Sequence, residues 1–292
     1  MASSRHLHPA RWLVFVLAAL ASPAAAHDMW IVPPAAKQGE LAEIRIQLGH
    51  LAMPETYQRD SYHLTRFVAV GPSGQELAVV GVEGAADPAG VFRPEEAGLW
   101  TVLYESIESF SMLPPELFNA YLKKWGQDAI LELRRQRREG GDPGRELSSR
   151  SLKALVQVGS AAARDRAVGL PLELVIETEP KLWPAGALRL RLLLRGEPLA
   201  GAQVEVQSFT DGERVAARRT DREGRVDFEL GPGAWMASVI HMEPETASPR
   251  ADWRSLLANL TWKIDSPGVD PMHPGGHVGS ADQVDSGSNG PR

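Results

Sequence analysis

The chain contains no cysteine. For a protein that leaves the cytoplasm, this excludes disulfides, a lipid-modified N-terminal cysteine and soft thiolate metal sites. Any metal centre must then use His, carboxylate, Met, amide or backbone donors. Basic residues are outnumbered, and the formal net charge is −6. That balance opposes a nucleic-acid partner, which wants a basic face. Beyond Leu20 no apolar run approaches the roughly 18 residues that a membrane-crossing helix needs. Also missing are a Ser/His/Asp order, a paired-carboxylate motif, a phosphate-cradling glycine loop and a metalloprotease helix. These absences weaken an enzyme reading without abolishing it, and the expected role is not enzymatic.

What is present begins at the N-terminus. Residues 1–26 read as a secretory signal, with Arg5 and Arg11 at its start, an apolar run from Trp12 to Leu20, and Ala24-Ala25-Ala26 as a small-residue cleavage site. Cleavage there would make His27 the first residue, in the order His27-Asp28-Met29-Trp30. It would also remove two positive charges. An N-terminal histidine offers adjacent nitrogens, the α-amine and the imidazole, that can chelate one metal ion. They lose their protons near pH about 8 and about 6.5, so both are available at modest cost at neutral pH. The expected location is the periplasm.

The 292 residues, 43% hydrophobic and 23% charged, suit a soluble globular protein of about two domains. From Met29 to about Ser106 the apolar residues alternate in short runs. Ile44, Ile46 and Leu48 are one example, and Gly71-Pro72-Ser73-Gly74 is a turn between two others. Pro115 to Arg138 carries Leu117, Phe118, Tyr121, Leu122, Trp125, Ile130 and Leu131 at helical spacing, with Gly126 as a possible break. Leu147 to Val158 reads as a helix-to-strand region. Alternation returns at Leu170–Glu177 and again through Leu188, Leu190, Leu192 and Leu194. The expected fold is mainly β, with two β-sandwich domains of immunoglobulin- or transthyretin-like type. Their expected ranges are 27–180, with a helical insertion over about 115–158, and 181–265. Residues 266–292 are rich in Pro, Gly, Ser and Asp and read as a disordered tail.

Several motifs in order resemble one family. They are His27-Asp28-Met29-Trp30, Gly49-His50, Phe118-Asn119-Ala120-Tyr121-Leu122, Gly144-Arg145-Glu146 with Ser149-Arg150, Thr220-Asp221 with Gly224-Arg225, and Val239-Ile240-His241-Met242 with Asp252-Trp253 and Leu260-Thr261. Together they resemble the NikM-like periplasmic family associated with nickel and cobalt uptake. The likeness runs to about Ile264. The chain departs from the pattern at Leu147-Ser148-Ser149-Arg150, where an aromatic is expected near the serine. The resemblance implies a role in binding or handling a divalent transition metal.

Six histidines lie beyond the expected cut. His50 ends an alternating strand, with Met53 and Glu55 just beyond, which suits a site at the rim of a sandwich. His241 lies on the strand face of Val239, and the resemblance favours it as a ligand over a core residue. His63 has no partner pattern and reads as surface. His273 and His277 fall in the tail. The expected ligands are therefore His27, His50 and His241, with Met53, Glu55, His63 and Met242 left open. A nitrogen-rich set suits Ni(II), Co(II), Cu(II) or Zn(II), and the affinity order alone does not separate nickel from copper. The expected function is capture of nickel or cobalt and delivery to a membrane transporter. The alternatives are a copper-dependent oxidative enzyme with an N-terminal histidine, and a non-metal adhesion or sugar-binding sandwich.

Overall fold

The computed structural model describes residues 28–160, 164–179, 186–209, 212 and 214–264. The expected signal, His27, the expected domain junction at 180/181 and the tail with His273 and His277 lie outside the described residues.

The N-terminal half opens with strands β1 (Asp28–Ile31), β2 (Ala42–Ile44), β3 (Ile46–His50), β4 (Met53–Thr56), β5 (Leu64–Val70), β6 (Glu76–Ala78), β7 (Gly90–Phe92), β8 (Gly98–Ser106) and β9 (Ser109–Leu113). Helices α1 (Pro115–Lys124) and α2 (Asp128–Gln136) follow, and then the long strand β10 (Gly144–Val158) and β11 (Leu172–Ile176). The rest is all strand: β12 (Ala187–Leu194), β13 (Glu197–Pro198), β14 (Gln203–Ser208), β15 (Arg214–Arg219), β16 (Arg225–Glu229), β17 (Gly233–Pro244) and β18 (Trp253–Ile264).

The fold is mainly β, with two sandwich-like cores on the two faces of one large sheet. That sheet has nine strands, in the order β15-β14-β17-β18-β10-β8-β5-β6 with β9 beside β10. Its two halves join where β10 runs parallel to β18, whereas its other pairs are antiparallel. Alternation assigns each strand two faces. One face carries Trp100, Val102, Leu152, Ala154 and Val156, which pack with Met29, Ile31, Ile44, Ile46 and Phe92 from β1, β2, β3 and β7. The opposite face carries Leu155, Val204, Val206, Val239, Leu260 and Trp262, against Leu172, Leu174, Leu188, Leu190 and Phe228. Burying one such side chain fully contributes about 1.5–3 kcal/mol. Although β11 precedes residue 181, it pairs with β12 and serves the second sandwich.

Helical character ends at Gln136, so the expected insertion to 158 is corrected: residues 144–158 form the longest strand. From Ser151 to Val156 every residue of this strand is buried, because both faces of the sheet are covered there. That burial erases the polar–apolar alternation by which a strand is recognised. The break at Gly126 is real. Its φ is +63°, and a Cβ there would lie 2.7 Å from Gln203 Oε1, so the chain turns between the helices only with glycine.

The helices seat Phe118, Tyr121, Leu122, Trp125 and Ile130 on Ile240, Met242, Trp253 and Leu257. Gly144 passes directly under Phe118, and an added Cβ would meet the ring carbons at 2.1–2.4 Å. Phe118 is fully buried and has the Arg134 guanidinium 5.0 Å from its centroid, so it has little room to yield. Gly144→Ala is expected to cost about 1–3 kcal/mol by overpacking, read as a lower urea midpoint. An unchanged midpoint would show that the ring moves freely.

Candidate functional site

β1 crosses the first face of the large sheet beside the helices. Its position follows from two interactions. It pairs antiparallel with β3, placing Asp28 opposite Gly49 and next to His50, and the Ile31 carbonyl accepts a hydrogen bond from Thr261 Oγ1 at 2.8 Å. Met29, Trp30 and Ile31 are buried, which anchors the strand and leaves Asp28 at its outer end.

Around Asp28 the sheet turns polar. Alternation along β10 puts Glu146, Ser148 and Arg150 on the same face as Leu152, and the facing positions of β18 include Trp253, Ser255, Leu257 and Asn259. Glu146 is buried, and its carboxylate accepts hydrogen bonds from Tyr121 Oη at 3.3 Å, Ser111 Oγ at 3.5 Å and Ser255 Oγ. Burial raises the Glu146 carboxyl above its ordinary range, and the hydroxyl donors partly counter that. Asp28 is raised for the same leading reason, while the positive charges of Lys124 and Arg150, and His50 more weakly, pull it down. Its neighbour Glu205 pushes it up again.

Arg150 is the unusual member. Burial lowers its pKa, and Asp28, Tyr121, Tyr104 and Glu146 oppose that shift. Its Nη1 is buried without a hydrogen-bond partner among the described residues. Tyr104, which shares a 3.4 Å contact with Tyr57, is pushed up by burial and stays protonated. On the other side of Asp28, Gln203 Nε2 bridges Glu205 Oε1 at 3.0 Å and the Lys124 carbonyl at 2.9 Å, tying β14 to the end of α1. The result is a largely buried polar cluster where the start of β1, the end of α1 and several strands of the large sheet converge.

The expected ligands separate. His50 is exposed at the end of β3 and lies within electrostatic reach of Asp28. His241 pairs in register with Leu256 on the face of Val239, opposite the face that carries Asp28 and Arg150. The sheet therefore stands between His241 and His50, and the structure does not bring these two expected ligands together. The His241 Nε2 lies 3.8 Å from Glu243 Oε2, and Glu243 is held by Arg195. Burial depresses the His241 pKa, which favours a neutral ring. His63 is exposed and bonds Asp60 through Nδ1 at 2.5 Å, where Asp60 caps a short turn. Met53 is 80% exposed, whereas Met242 is buried in the helix-packing core. Among the described residues no group of three or more His, Asp or Glu side chains is placed to hold a metal ion.

Asp28, Glu146, Arg150, Tyr104, Tyr121 and Glu205 were not singled out as site residues from the sequence. One signal was available: polar Glu146, Ser148 and Arg150 at every second position ahead of an apolar strand. No helix among the described residues is long and apolar enough to cross a membrane.

A family model described as a domain of unknown function (DUF4198) matches residues 24–243. No curated protein matches the chain. Among solved structures, fibronectin(III)-like modules of Clostridium thermocellum CbhA align over 86% of this chain and 100% of their own, at 9% identity and a TM-score of 0.20. The D0-D1 domain of intimin aligns over 81% and 98%, at 11% identity and a TM-score of 0.22. Superpositions this loose carry no argument, and the fold stands on its own strand pairing.

Proposed function

We propose that this chain, which belongs to the DUF4198 family, binds a divalent transition metal outside the inner membrane and passes it to an uptake transporter. Nickel and cobalt are the favoured cargo, following the NikM-like resemblance of its motifs, and the role is binding rather than catalysis.

The observation that carries this reading is the position of Asp28. The residue next to a processed N-terminal His27 lies in this polar cluster beside His50, not on a free strand end. Three carboxyl groups there, Asp28, Glu146 and Glu205, face two cations, Arg150 and Lys124, which leaves room for added positive charge. The donor types fit a borderline metal: imidazole nitrogen from His50 and carboxylate oxygen from Asp28. The His27 amine and imidazole would supply the remaining nitrogens. His241 is left out of this site because the sheet intervenes.

Calorimetric titration with Ni(II), Co(II), Cu(II) and Zn(II) of protein that begins at His27 tests the reading. His50→Ala is expected to weaken binding at least tenfold, which corresponds to about 1.4 kcal/mol. His63→Ala and His241→Ala are expected to leave the affinity within a factor of about two to three. No heat with any of the four ions would end the metal reading. A large loss in His241→Ala would move the site to the other face.

A further inference from the structure

On the opposite face from Asp28, Lys153 of β10 is enclosed with Asp165 and Glu173, and the three side chains are 1%, 0% and 2% exposed. Its Nζ lies 2.8 Å from Asp165 Oδ1 and 3.0 Å from Glu173 Oε1. Two carbonyls complete its surroundings, Arg166 O at 2.9 Å and Leu174 O at 3.2 Å. The Asp165 carboxyl is itself gripped: Oδ1 accepts the Arg166 N–H at 2.8 Å and Oδ2 accepts the Ile176 N–H at 2.8 Å. Glu173 receives the N–H groups of Val168, Gly169 and Leu170 within 3.2 Å. Nearby packing is apolar, with Val70, Leu103 and Leu170.

From this geometry we propose that the triad is an autocatalytic crosslinking site, in which Lys153 Nζ and Asp165 Cγ join in an intramolecular amide bond with Glu173 as the proton carrier.

One cation faces two carboxylates in a dry interior, where charged groups are costly and a neutral amine beside a neutral acid is favoured. Glu173 accepts three backbone N–H groups, and burial raises the Asp165 pKa. Transfer of a proton from the Lys153 ammonium to Asp165 leaves a neutral amine beside a neutral acid, which is the reactive pair. The amine lone pair forms the Nζ–Cγ bond. The Ile176 N–H then bears on the oxygen that gains negative charge, as an oxyanion donor does. Glu173 takes the amine proton and returns it to the departing hydroxyl, and the Cγ–Oδ1 bond breaks to release water. Amine plus acid gives amide plus water, with nothing oxidised and no co-reactant. The bond would tie the β10–β11 connection to the central strand and replace a buried ion pair by a neutral link.

Intact-mass spectrometry of the denatured full chain tests this. Wild type is expected to be lighter than its sequence mass by one water, and a digest should yield a branched peptide joining Lys153 to Asp165. Lys153→Arg and Glu173→Gln should both have the full sequence mass. Asp165→Asn should lose ammonia instead of water if the amide still forms. A wild-type chain at full sequence mass, or a lost water mapped elsewhere, overturns the proposal whether or not the variants fold.

Discussion

One residue added ahead of His27 is expected to weaken metal binding at least tenfold, about 1.4 kcal/mol, while leaving the fold intact. The added residue would convert the His27 amine into an amide nitrogen, which at neutral pH keeps its proton and is no longer a donor. The imidazole would remain, but without its chelate partner. The strand behind it should not change, because Met29, Trp30 and Ile31 are anchored by burial and by the Thr261 hydrogen bond. Affinity for the native start should fall as pH drops, since protons compete first at the His27 amine, near pH about 8 for an ordinary α-amine, and then at its imidazole, near about 6.5 for an ordinary histidine. The extended chain should lose the upper part of that dependence. Parallel titrations across pH 5 to 8 make the comparison, and equal affinity and equal pH profiles would remove the amine from the site.

Trp253→Ala is expected to destabilise the protein by roughly 3–5 kcal/mol, the range for emptying a large aromatic site in a core. Trp253 is fully buried at the start of β18, where it meets Ile240, Met242 and the aromatic residues of α1. The Arg137 guanidinium lies 5.8 Å from its ring, so the end of α2 rests on it as well. Its Nε1 makes no hydrogen bond among the described residues, and the loss is therefore one of packing. Urea unfolding followed by far-ultraviolet dichroism measures this. A change below about 1 kcal/mol would show that the helices close over the gap, since the cost depends on how far a site can collapse.

Local pattern made the β character of this chain legible. Ile44, Ile46 and Leu48, and later Leu188, Leu190 and Leu192, alternate because one face of each strand meets a core and the other is less covered. Helical spacing from Pro115 identified α1 and α2, and Gly126 marked their break, since a left-handed backbone strongly favours glycine. Pattern failed at β10. A strand covered on both faces loses its alternation, and Leu147–Val158 resembles a buried helix as much as a strand. The candidate site divides in the same way. Alternation assigned His241 to the face of Val239, but no local rule states which face β1 will cross. That was decided by the parallel pairing of β10 with β18, which aligned Glu146 and Arg150 with Ser255 and Leu257 on one side and left His241 on the other. Local periodicity reports where a side chain points along its own strand; only long-range pairing and sheet packing determine which distant residues it meets there.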